Sequence, residues 1–339
     1  MVTSAKKSAT KSLDTKLAKI LAGKFTPKDF IIADAKDADM SVGLTAPAPR
    51  PGNEIGDSGP GVYRTRQEYQ GDMRTLIDQG EIDIMLTSAS NGEVLAKKPG
   101  QLKKVSLAVR GNDTTDIWNV RGGGYLTQKS RPFQSVNLVQ IKKFTDLVLY
   151  SLTFNNDIDA DLASLDAFKA FRDQAAKIGM RYFLEVFNPN APANLKESDF
   201  GSFVNDSIMR SLAGVTQKER PIFLKVAFNG SKHLQELTEH DSTLVVGLLG
   251  GSSGTTRDTF ELLSQGEKAG ARVALFGRKI QRAESQTDLV ALMRPVIEGV
   301  ITPSQAVEQY HESLAVQGIS PLRPLDLDLQ ITEPALKAD

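Results

Sequence analysis

The chain contains no cysteine, which removes disulfides, thiol nucleophiles and thiolate metal sites from consideration. Histidine is nearly absent too: His233, His240 and His311 are the only ones. A catalytic zinc site usually draws several histidines. Two of these fall in one segment after an apolar run, and the third lies in a C-terminal helical pattern. They read as surface residues rather than ligands, so no metal site is expected. No run of about 18 apolar residues occurs anywhere, so no membrane span is expected. Lys plus Arg and Asp plus Glu each total 41, giving a formal net charge of zero. No basic excess points to a nucleic acid or a membrane surface as partner. The N-terminal stretch "MVTSAKKSATKSLDTKLAKILAGKF" lacks an apolar core long enough for a secretory signal, which makes the cytoplasm the default compartment. Within it, Leu13, Leu17, Ile20 and Leu21 are spaced for one face of a helix that packs on the domain.

What is present is an ordinary globular composition. Of 339 residues, 40% are hydrophobic and 24% charged, enough for one large α/β domain or two smaller ones. Short apolar runs rich in β-formers recur along the chain. They are "FIIADA" (30–35), "IDIMLT" (82–87), "VSLAVR" (105–110), "TDLVLYSLTF" (145–154), "RYFLEVF" (181–187), "PIFLKVAF" (221–228), "TLVVGLLG" (243–250) and "ARVALFG" (271–277). Most are separated by helical patterns. The clearest are "SLDAFKAFRDQAAKIG" and "TRDTFELLSQGEKAG", both ending in the glycine that commonly terminates a helix. Apolar strands alternating with helices indicate parallel pairing with both sheet faces covered. Eight such strands close a (β/α)8 TIM barrel, with a doubly wound open sheet as the alternative. The second and third connections carry the weakest helical patterns. The expected layout is an N-terminal tail and helix (1–29), a single barrel domain (30–318) and a C-terminal tail (319–339). The Pro/Gly-rich insertion "GLTAPAPRPGNEIGDSGPGVY" follows the first strand and would lie on the catalytic face as a lid. After the last strand, Thr302, Pro303 and Gln305 open a capped helix that closes the outer ring.

Lys225 stands in the middle of an apolar strand. Alternation puts it with Phe223 and Ala227 on one face, and Leu224, Val226 and Phe228 on the other. A free lysine amine has a pKa of ~10.4 and is almost wholly protonated at neutral pH. Burial disfavours the ammonium, and an unprotonated amine can attack a carbonyl to form an imine. A lysine in a buried ion pair, or reaching past the strand end into water, fits the strand by itself better. The neighbouring motifs change the balance. "LLGGSSGTTRDTF" is a strand, a Gly-rich turn and a helix start, in which Gly250, Gly251 and Ser252 can offer N–H groups to an anion. The next strand ends in "FGRKI", where Gly277 allows close approach and Arg278 can bind phosphate. Loops after strands seven and eight are the usual phosphate site of a barrel.

The order "FLKV", "GGSSG", "FGRKI" resembles the class I aldolases, including the fructose-bisphosphate, tagatose-bisphosphate and sulfofructose-phosphate enzymes. The resemblance covers most strands from 30 to about 315 and is strongest over 181–280. It implies a lyase that cleaves or forms a carbon–carbon bond in a phosphorylated ketose, without metal or cofactor, in a homo-oligomer. It implies that Lys225 forms the Schiff base and that Gly250, Gly251, Ser252, Gly277 and Arg278 hold the phosphate. It also implies that Glu185 handles protons and that Asp34 contacts substrate. Glu185 reads equally as an ion-pair partner of Lys225, and the two roles are compatible.

The chain departs from these relatives at several points. Phe187 stands where some carry a tyrosine, and Leu149, beside Tyr150 and Ser151, where the tagatose type carries a second lysine. The segment "VRGNDTTDIWNVRGGGYL" (109–126) has no counterpart in them. Its Arg110, Asn112, Asp113 and Arg121 either read the substrate or belong to a tight loop. The rival expectations are a non-catalytic barrel that binds a phosphate ligand, and a Schiff-base acyl or aldol transferase.

Overall fold

The computed structural model describes residues 10–50, 52–98 and 100–337. Residues 1–9 of the expected N-terminal tail and 338–339 of the C-terminal tail lie outside the described residues. Eight strands form the barrel: β1 (Ile31–Lys36), β2 (Ile84–Thr87), β3 (Ser106–Arg110) and β4 (Leu147–Thr153), then β5 (Arg181–Phe187), β6 (Leu224–Val226), β7 (Val246–Leu249) and β8 (Val273–Phe276). All neighbours are parallel, and β8 pairs with β1 to close the ring in sequence order. This is the (β/α)8 barrel that the recurring apolar runs imply.

Side-chain parity divides the core into two shells. Ile31, Ala33 and Ala35 of β1, Phe183 of β5, Phe223 just before β6 and Leu275 of β8 point inward, and Phe183 stacks on Phe223 at 4.6 Å. Their even or odd neighbours, such as Ile32, Leu184, Leu224 and Phe276, face the helices. The helix Ser12–Leu21 closes the N-terminal end of the barrel by inserting Leu13 and Leu17 among the inward residues. Lys16 fixes it there through the Asp83 carboxylate at 2.7 Å. Leu21 is 55% exposed rather than buried with its expected partners. At 3.6 residues per turn it lies about 80° round the helix from Leu13, too far to share the contact.

The weak helical patterns after β2 and β3 have a structural reason. Among the described residues, the β2–β3 link holds only the helix Ala89–Ala96. The β3–β4 link has a two-stranded ribbon, 113–114 against 132–133, and the four-residue helix Leu138–Ile141. The last helix, Pro303–Val316, starts with the expected capping box at Thr302 and Gln305. Among the described residues, no helix is long and apolar enough to cross a membrane.

Candidate active site

The inward shell changes character at the C-terminal end of the strands. Asp37 just beyond β1, Arg110 of β3, Ser151 of β4, Glu185 of β5 and Lys225 of β6 all continue the inward parity. Strand register sets Ser151, Glu185 and Lys225 side by side across three neighbouring strands. Lys225 Nζ lies 2.6 Å from Glu185 Oε1. The other carboxylate oxygen, Oε2, accepts from Ser151 Oγ at 2.8 Å and from Arg110 Nη2 at 3.1 Å. Arg110 also donates to Ser151 Oγ at 2.8 Å and, through Nε, to Asp37 Oδ2 at 2.5 Å. Ser151 is itself fixed: its N–H donates to Asn112 Oδ1 at 2.6 Å, and Asn112 Nδ2 donates to its carbonyl at 2.9 Å.

Burial of such charges costs several kcal/mol per ion unless they are paired and hydrogen-bonded. Here two cations, Lys225 and Arg110, balance two carboxylates, Glu185 and Asp37. Burial pushes the Asp37 carboxyl up, but Arg110, Lys225 and its hydrogen bonds outweigh this and hold it below the ordinary range. Burial opposes the Arg110 charge, and Asp37, Glu185 and Asp113 more than offset that, so Arg110 stays protonated. Asp113, whose Oδ2 accepts from Ser135 Oγ, is pushed up by burial against the pull of Arg110.

Asp37, Arg110, Glu185 and Lys225 of this cluster line a cavity of about 640 Å³ that opens at the C-terminal face. The insertion after β1 and the segment after β3 form its roof. Pro49 and Tyr63 pair across the insertion, and Asn119 N–H donates to the Ser41 carbonyl at 3.0 Å. Arg121 lines the lip, donating to the Asp57 carbonyl at 2.9 Å with its guanidinium over the Tyr63 ring. Gly250, Gly251, Gly277 and Arg278 line the opposite side. Gly251 has φ +65, open to glycine without strain. A Cβ at Gly277 would stand 2.9 Å from the Ala35 carbonyl oxygen, so that approach requires glycine. The Arg278 guanidinium makes no hydrogen bond or ion pair with any described residue, and its backbone carbonyl accepts the Arg282 N–H at 3.0 Å. Burial and the neighbouring Arg282, which also lines the cavity, disfavour its charge, and Glu333 partly offsets them.

The structure brings together Lys225, Glu185 and Arg110, and it sets Arg121, Gly250, Gly251, Gly277 and Arg278 around the same cavity. Ser252 is on the adjoining turn but donates its hydroxyl to Glu333 at 3.1 Å. Asp34 does not join them. Its even position on β1 turns it outward with Ile32, and it forms a fully buried pair with Lys36 at 3.1 Å. Lys36 in turn donates to Gln286 at 3.0 Å behind the barrel wall. Asp37, three residues on, is the acidic side chain of this loop that reaches the cavity. Tyr150 also faces outward, with its ring 4.3 Å from that of Phe171. Asp37 and Arg282 were not singled out from sequence, and Ser151 was noted only as a neighbour of Leu149, although the inward parity of β1 and β4 selects Asp37 and Ser151. Of the histidines, His311 meets Asp328 at 3.0 Å and His240 is exposed. Among the described residues, no group of three or more His, Asp or Glu is placed to hold a metal ion.

No protein-family model and no curated protein matches the chain. Solved structures do. An archaeal fructose 1,6-bisphosphate aldolase superposes with TM-score 0.60 at 14% identity, covering 85% of this chain and 99% of that one. The fructose-bisphosphate aldolase from Slackia heliotrinireducens gives TM-score 0.62 at 15% identity, covering 89% and 90%. An archaeal fructose-1,6-bisphosphate aldolase with its catalytic Lys covalently bound to the carbinolamine intermediate gives 0.60 at 14%, covering 84% and 99%. At these identities the likeness is one of fold. The chain shares the (β/α)8 barrel of these solved aldolases.

Proposed function

We propose that the protein is a class I, Schiff-base aldolase acting on a phosphorylated ketose or related sugar phosphate. The observation that carries this reading is the 2.6 Å contact of Lys225 with Glu185 at the inner end of a cavity whose mouth holds the Arg278 guanidinium, without a partner among the described residues. An amine needs a base within hydrogen-bond reach to become a nucleophile, and Glu185 is that base.

In this reading Glu185 takes a proton from the Lys225 ammonium, and the amine attacks the substrate ketone. The carbinolamine hydroxyl leaves as water after receiving a proton from Glu185, which forms an iminium. The Glu185 carboxylate then accepts the proton of the β-hydroxyl, the carbon–carbon bond breaks, and an aldehyde departs. The bonding pair moves into the iminium to give an enamine. Protonation of that carbon and addition of water release the ketone and regenerate Lys225. Arg110 and Ser151 hold Oε2 of Glu185, so Oε1 stays aimed at the reacting atoms. Asp37 keeps Arg110 in that position and is available to substrate hydroxyls. Gly250, Gly251, Ser252, Gly277 and Arg278 would bind the phosphate, and Arg121 would close the other lip.

The test is a panel of ketose phosphates, read by release of an aldehyde fragment with and without the phosphate on the substrate. Cleavage of at least one phosphorylated ketose, lost in Lys225→Met, is expected. No turnover across the panel in either direction would count for a binding barrel instead.

A further inference from the structure

The C-terminal segment does not trail from the barrel. It runs over the helix Thr256–Lys268, with Glu333 beside the Gly-rich turn after β7 and Leu336 further along that helix at Gln265. Asp258, fully buried in the first turn of that helix, is the main anchor. Its Oδ1 accepts the N–H of Thr332 at 2.7 Å and of Glu333 at 3.2 Å, while Oδ2 accepts the N–H of Thr255 at 2.9 Å. Asp328 accepts the N–H of Thr256 at 2.8 Å, and Gln265 donates to the carbonyl of the buried Leu336 at 3.0 Å.

These bonds deliver one carboxylate to one place. Glu333 Oε1 accepts from Ser252 Oγ at 3.1 Å and from Lys279 Nζ at 2.9 Å. Lys279 is a buried cation that follows Arg278 directly, and it also donates to the Ser253 carbonyl at 3.4 Å. A Cβ on Gly254 would stand 3.2 Å from the same Glu333 oxygen. So a carboxylate of the chain itself is seated between the turn after β7 and the residues after β8. Those are the two loops to which the proposed function gives the substrate phosphate.

We infer that Glu333 is a specificity-determining residue of this anion subsite, limiting how tightly the turn and Arg278 hold a doubly charged anion. The inference rests on the phosphate-site reading. The fixed negative charge of Glu333 beside Ser252 repels a dianion more than a monoanion of the same shape, and it occupies the hydroxyl of that turn residue. The consequence is a subsite that releases phosphate readily and discriminates weakly against singly charged groups.

Glu333→Gln keeps the oxygen acceptor and removes the charge. Sulfate and methanesulfonate are tetrahedral anions with fixed charges of two and one, and their binding to the full chain can be followed by calorimetry. Sulfate should bind the variant about three- to tenfold more tightly than the wild type, with a smaller gain for methanesulfonate, and the difference should fade at high ionic strength. An equal melting temperature for the two proteins guards against a change of fold, and Glu333→Ala serves if Gln perturbs the tail. Unchanged or weaker sulfate binding in both variants, with Arg278→Ala still weakening it, overturns the inference alone. Sulfate binding that Arg278→Ala leaves untouched overturns the phosphate-site reading, and this inference with it.

Discussion

Lys225 Nζ and Glu185 Oε1 lie 2.6 Å apart on neighbouring parallel strands, in direct register. A lysine is tolerated inside an apolar strand here because the adjacent strand supplies its counter-charge. The same contact offers the amine a proton acceptor, so in the proposed reaction the structural and the chemical roles of Glu185 coincide. Removing either member therefore has both a stability and an activity consequence, and the two need separate readouts.

Glu185→Gln should lower turnover by about 10²–10⁴, the usual contribution of a general base. Ser151→Ala removes one of the two groups that hold Oε2, and should cost less in kcat while leaving KM near its original value. Steady-state kinetics on the cleaved ketose phosphate checks both. A Ser151 effect as large as that of Glu185 would assign the proton transfer to the hydroxyl.

The two acidic residues near the end of β1 should behave in opposite ways. Asp37→Asn removes the charge of one of the two carboxylates that hold Arg110 in the cavity and should depress activity. Asp34→Asn should leave the chemistry intact but strand Lys36, whose side chain is fully buried, at a cost of about 3–5 kcal/mol. Denaturant unfolding and activity, measured on both variants, separate them. The reverse pattern would return the substrate contact to Asp34.

Arg278→Ala should weaken binding of phosphorylated ligands by about 10- to 150-fold, the equivalent of one charge-assisted bond, and barely affect the dephosphorylated analogues. Equal loss for both ligands would make Arg278 a structural residue.

Docking of the C-terminal segment should be sensitive to acid. Burial would raise the Asp258 carboxyl, but hydrogen bonds from Thr332, Thr255 and Glu333 outweigh it and hold it below the ordinary value. A depressed carboxyl stabilises the fold above the unfolded value of ~3.9 and loses that contribution as pH falls through its lower folded value. Hydrogen exchange should show the amides of Thr332 and Glu333 losing protection below about pH 4, ahead of the barrel strands. Asp258→Asn should show the same loss at neutral pH. Protection that persists in that variant would mean other contacts hold the segment.

All eight strands were legible because each is a short apolar run bounded by turns or helices, and parallel strands buried on both faces leave that imprint. Lys225 and Glu185 were legible for a related reason: a charge inside such a run has no apolar explanation. Asp34 met the same criterion and misled, because the run does not say which face is inward; the outward parity it shares with Ile32 carries that information. Asp37 lies just past the end of the apolar run, so only the continued odd parity of β1 points to it. The ion pair also changes what Lys225→Met does. From sequence, exchanging a buried amine for methionine appears neutral or stabilising. With Glu185 in contact, it leaves a buried carboxylate short of one partner, though still bonded to Arg110 and Ser151. Glu333 had no sequence signal at all, since its place depends on anchors about 75 residues earlier in the chain, at Asp258.

Covalent trapping tests the central claim most directly. Borohydride added with a cleaved ketose phosphate should reduce the imine to a stable secondary amine, and peptide mass mapping should find that adduct on Lys225. Lys225→Met should lose both the adduct and the activity while keeping its fold, at a stability cost of up to about 3 kcal/mol for the broken pair. An adduct on another lysine, or turnover that persists without Lys225, would contradict the account.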